Sequence, residues 1–79
     1  MRVTIISDDG NVYVEEQALH VDLSTLDENI HAIQWYGTTG EIEYKTDYLT
    51  NTRPPNITIT DFAPYQKFVD LWTAAAQAT

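Results

Sequence analysis

A sustained helical period occurs once in this sequence, and it comes last. Phe62, Tyr65, Phe68, Val69, Trp72 and Ala76 recur at intervals of three and four, while Gln66, Lys67, Asp70 and Thr73 fall on the opposite side. Asp61 is placed to cap such a helix, and Pro64 fits its first turn, where a missing N–H costs little. The spacing therefore predicts a helix running to about Ala76 with one aromatic stripe. A single amphipathic helix cannot bury its own stripe, so the remainder of the chain must supply an apolar surface.

That remainder reads as strands. Val3–Ile6 and Val12–Glu15 are β-branched and aromatic runs separated by Ser7-Asp8-Asp9-Gly10-Asn11, whose Asp-Gly pair is hairpin turn chemistry. From Gln17 to Leu23 the residues alternate, with Leu19, Val21 and Leu23 on one face and His20 and Asp22 on the other. Ser24 to Asn29 suits one short helical turn, with acidic residues three places after a capping hydroxyl. A second hairpin joins Ile30–Tyr36 to Glu41–Lys45 through Gly37-Thr38-Thr39-Gly40. It sets Ile42 and Tyr44 inward, opposite Ile33 and Trp35. Thr46 to Asn56 is polar, contains Pro54-Pro55 and has no period; it reads as a mobile surface loop before Ile57-Thr58-Ile59. The expected fold is α+β: an antiparallel sheet of four or five strands with two hairpins, and one C-terminal amphipathic helix packed on one face. Residues 1–79 are expected to form a single domain.

At 79 residues without cysteine, this chain has neither disulfide nor zinc–thiolate to supplement a small core, which leaves homo-oligomerisation open. Four basic residues stand against twelve acidic ones, a net charge of −8. Because Arg2, Lys45, Arg53 and Lys67 are dispersed, no basic stripe exists for phosphate backbones and nucleic acid is not an expected partner. Mimicry of DNA is disfavoured too, since the acids come singly or in pairs. There is no secretory leader and no run of about 20 apolar residues, so a cytoplasmic protein without membrane contact is expected.

The chemistry-bearing residues form no catalytic set. Asp8-Asp9-Gly10-Asn11 lacks the alternating ligands and distal glutamate of a calcium loop. His20 and His31 lie on separate strands, Glu41 and Glu43 share an exposed strand face with no cleft, and Ser7 and Ser24 lack a nucleophile elbow. No metal, cofactor or catalytic residue is expected. Trp35 reads as core. Tyr36, with Thr38 and Thr39 in the adjoining loop, reads as a partner-binding surface, because an aromatic ring carries large contact area at low entropic cost; Tyr48 in the polar loop is a further candidate.

His31-Ala32-Ile33-Gln34-Trp35-Tyr36-Gly37, Gly40-Glu41-Ile42-Glu43-Tyr44 and the segment Ile59 to Trp72 resemble a group of small tailed-bacteriophage proteins whose genes commonly sit beside tail fibre genes. The resemblance runs almost end to end, through Val3-Thr4-Ile5, Val21-Asp22-Leu23-Ser24 and the Tyr65-Gln66 of the closing helix, and departs in the loop Thr46 to Asn56. It implies a non-enzymatic tail fibre assembly factor acting in the host cytoplasm, with a phage tail or fibre protein as partner. The alternatives are a minor component of the virion and a small acidic inhibitor of a host protein.

Overall fold

The computed structural model describes residues 1–78. Six strands form: β1 (Val3–Ile6), β2 (Asn11–Val14), β3 (Gln17–His20), β4 (Ile30–Trp35), β5 (Gly40–Tyr44) and β6 (Ile57–Ile59). A 3-10 turn, Ala63–Tyr65, leads into the helix α1 (Gln66–Gln77). All neighbouring strands are antiparallel in one sheet of order β3-β2-β1-β4-β5-β6. The architecture is the α+β arrangement expected, with six strands instead of four or five because both short edge segments pair. The edges are β3 and β6, of four and three residues, lengths that leave little exposed ladder.

Register explains the core. Leu19, Val12, Ile5, Ile33, Ile42 and Ile57 lie opposite one another in a row across the whole sheet. Val14, Val3, Trp35, Gly40 and Ile59 make a second row on the same face. Val3, Ile5, Val12 and Ile33 are wholly buried, and Phe68 from α1 is 1% exposed. The helix packs against β2 and β3. Its Trp72 is only partly buried and donates its indole N–H to the Gln17 carbonyl at 3.0 Å, tying the helix to the β3 edge. The segment between β3 and β4 covers more of this face with Val21, Leu23 and Leu26.

Glycine is needed where the core comes closest to backbone. At Gly40 a Cβ would lie 2.3 Å from the Gln34 carbonyl oxygen and 2.9 Å from Cε3 of Trp35, so only hydrogen leaves room for the indole. Phe62 stacks on Trp35 with ring centroids 5.2 Å apart. Gly10 has φ +66°, and a Cβ there would meet the His20 ring at 2.5 Å.

Three local readings change. The turn between β2 and β3 is built from Glu15 and Glu16, both with positive φ (49° and 80°), where asparagine and glycine are the usual residues. It is held by the Glu15 N–H donating to the Arg2 carbonyl and the Arg2 N–H donating to Glu15 Oε1. No helical turn forms at Ser24 to Asn29; Asp22 and Asp27 each accept from the backbone N–H two residues on, Ser24 and Asn29, giving successive turns. At the helix start, Asp61 accepts from the N–H of Ala63 in a turn that precedes the 3-10 segment, and the capping positions themselves are Phe62 and, for α1, Tyr65, neither with a side-chain cap.

Candidate functional site

The strand alternation that fills one face leaves the other with no covering element among the described residues. Here Ala18, Tyr13, Thr4, Gln34, Glu41 and Thr58 form a row, and His20, Asn11, Ile6, Ala32 and Glu43 a second. Most of these side chains are half-buried by one another and polar at their ends. Thr4, Ile6, Tyr13 and Gln34 line a shallow depression of about 530 Å³, with Arg2, Asp9 and Glu16 supplying charge around it.

Tyr36 belongs to this face, because it follows the inward-facing Trp35. Its ring is covered by the Arg2 guanidinium, 5.6 Å from the centroid. The phenol O–H donates to Gln34 Oε1 at 3.4 Å, and Gln34 in turn donates from Nε2 to Glu43 Oε2 at 2.8 Å. Tyr36 as a whole is 49% exposed. Arg2, Tyr36, Gln34 and Glu43 thus form one chain of contacts across three adjacent strands. An apolar ring with a held polar tip, beside a cation and a carboxylate, suits a protein surface more than a small substrate.

Of the other residues singled out in the sequence, Thr38 and Thr39 are exposed in the β4–β5 loop, where the Thr39 carbonyl accepts from the N–H of Tyr36. They adjoin Tyr36. Tyr48 does not: it follows β5, at the opposite end of the strand from the Gly40 turn, roughly 15 Å along the sheet. It stands in a small hairpin closed by Asp47 and Thr52 and capped by Asp47 Oδ1 accepting from the N–H of Leu49. Tyr48 and Leu49 are 88% and 97% exposed at its tip.

The residues weighed for chemistry are distributed. His20 is on β3 and His31 on β4, with two strands between them, so roughly 14 Å of sheet separates them. Among the described residues no three His, Cys, Asp or Glu side chains gather as metal ligands. Glu43 is engaged by Gln34, and neither Glu41 nor Glu43 lines the depression on this face. Ser7 donates its hydroxyl to the His31 carbonyl, a structural contact. Arg2 is the surface residue that sequence reasoning passed over. Only the β1–β4 pairing brings it to Tyr36, and nothing local marks it. Among the described residues no helix is long and apolar enough to cross a membrane.

No family model, no curated protein and no solved structure matches this chain.

Proposed function

We propose that this protein is a non-enzymatic interaction module that assists bacteriophage tail fibre assembly by presenting the uncovered face of its sheet to a fibre protein. The observation that carries the binding role is the asymmetry of the sheet. One face is closed by α1 and the β3–β4 segment, while the other holds a half-exposed tyrosine, an arginine over its ring and a shallow depression. Such a surface offers an aromatic anchor and fixed polar groups without a cleft for bond chemistry. The phage setting and the fibre partner rest on the sequence resemblance, and so does action in the host cytoplasm during assembly.

Co-expression with the neighbouring fibre protein tests the reading. The expected result is soluble fibre protein that co-purifies with this chain, and loss of co-purification on Tyr36→Ala combined with Arg2→Ala. Unchanged fibre solubility with no co-purification removes the proposal. Mass spectrometry of purified particles separates assistance from incorporation: an assembly factor is absent, whereas a structural component is present in stoichiometric copies.

A further inference from the structure

At the end of the sheet remote from Tyr36, a second depression of about 490 Å³ is lined by His31, Lys45, Arg53, Tyr44, Tyr48 and Asp8, together with Thr46. Its composition runs against the rest of the molecule. In a chain of net charge −8 with four lysines and arginines, two of the four meet here beside one of the two histidines. They come from distant places: His31 is the extra residue of the bulge in β4, Lys45 follows β5, and Arg53 follows the Asp47–Thr52 hairpin.

The only carboxylate in the lining is Asp8, which reaches His31 Nδ1 at 3.3 Å and Lys45 Nζ at 3.9 Å. Arg53 makes no ion pair among the described residues. Two fixed cations therefore face one carboxylate, and one guanidinium is left with its planar fork of donors unclaimed. A fork and an ammonium on one site match the geometry of a tetrahedral oxyanion. Tyr48, which is 88% exposed, adds a ring beside those donors, while Tyr44 packs against the core at the edge of the depression.

We propose that this depression binds a phosphate group, held by Arg53 and Lys45 with His31 as a third donor, and that Tyr48 receives a ring carried by the same ligand. This site lies the length of β5 away from Tyr36 and adjoins the bare-face depression where Asp8 and Asp9 follow one another. Asp8 acts as the internal competitor that an incoming oxyanion displaces from Lys45 and His31.

The test is an NMR titration of the full chain with inorganic phosphate, phenyl phosphate and benzoate, all at constant ionic strength because the field of the acidic surface is salt-dependent. Saturable shifts confined to His31, Lys45, Arg53 and their neighbours are expected, with a dissociation constant of about 1 mM or tighter for phenyl phosphate. Tighter binding of phenyl phosphate than of inorganic phosphate is expected, whereas equal affinity for the two would overturn the ring subsite. Arg53→Ala, an exposed position whose loss leaves the core intact, is expected to weaken binding about tenfold. Asp8→Asn is expected to tighten it. Shifts that do not saturate, benzoate binding as tightly as phenyl phosphate, or an Arg53→Ala affinity equal to the parent's would each overturn the proposal.

Discussion

The two faces of this sheet are made by alternate residues of the same six strands, yet they are under different constraints. On the covered face Val3, Ile5, Val12 and Ile33 have no exposure and Phe68 fills the space between α1 and the strands. Its centre is closely packed, with exposure only toward the edges as at Ile57, and Gly40 is required because a single methyl would collide with Trp35 and the Gln34 carbonyl. On the bare face the equivalent positions are Thr4, Tyr13, Gln34 and Glu41, all half-buried, and the first three line an open depression. The same backbone thus supports one surface whose side chains determine stability and another whose side chains are available for recognition.

The comparison breaks most readily at Phe68. Phe68→Ala should lower the unfolding free energy by about 3–5 kcal/mol in a denaturant titration. For a domain this small that is a large share of the total. A loss below about 1 kcal/mol would show that the helix does not close the core.

Next in size is the turn between β2 and β3. Glu15 and Glu16 both adopt the left-handed region, and Glu16 lines the bare-face depression. Glu16→Gly should raise stability by about 1 kcal/mol by relieving that strain. A destabilised variant would mean that the Glu16 side chain has a stabilising role that outweighs its backbone conformation.

A smaller effect is expected on the bare face itself. Tyr36→Ala removes a half-exposed ring and should shift stability by about 0.5 kcal/mol or less while abolishing partner capture. Large destabilisation there would make the bare face a second core and not a recognition surface.

The smallest effect concerns pH. Burial, with the neighbouring Tyr44 and Asp27, pushes the Tyr65 phenol above its ordinary value of 10.0. The folded protein therefore keeps a proton that the unfolded chain releases first. The contribution is fully present below the unfolded value and is lost as pH rises through the folded one. Tyr65→Phe should make the alkaline decline in Tm shallower, and an unchanged slope would place the phenol in contact with solvent in both states.

Much of the covered face was legible in the sequence. Ile33 with Trp35 and Ile42, and the stripe from Phe62 to Trp72, announce themselves by period, because burial on one side of a strand or helix imposes that period. The alternation from Gln17 to Leu23 marked the apolar residues, but the strand there ends at His20, and Val21 and Leu23 reach the core from the following segment. Turn chemistry placed the β1–β2 and β4–β5 hairpins. It failed at Glu15-Glu16, where no glycine or asparagine signals the turn and the hydrogen bonds that hold it come from Arg2, thirteen residues away. It failed also at Ser24 to Asn29, where side-chain acceptors on Asp22 and Asp27 compete with helical bonding.

The candidate surfaces were legible only in part. Tyr36 was readable as exposed because Trp35 beside it reads as core. Its partnership with Arg2 and Gln34 was not readable, since it depends on β1 lying between β2 and β4. Tyr48 was singled out for exposure alone, and its grouping with Lys45, Arg53 and His31 required the bulge at His31 and the small hairpin at Asp47–Thr52.

By itself the sequence determined the elements and which side of each is apolar, because helical and strand periods are local and the apolar residues repeat within a few positions of one another. Only the tertiary structure decided strand order, and with it which face lies bare and which charges meet. Those outcomes depend on pairings between residues far apart in the chain, β1 with β4 above all, and no local pattern encodes them.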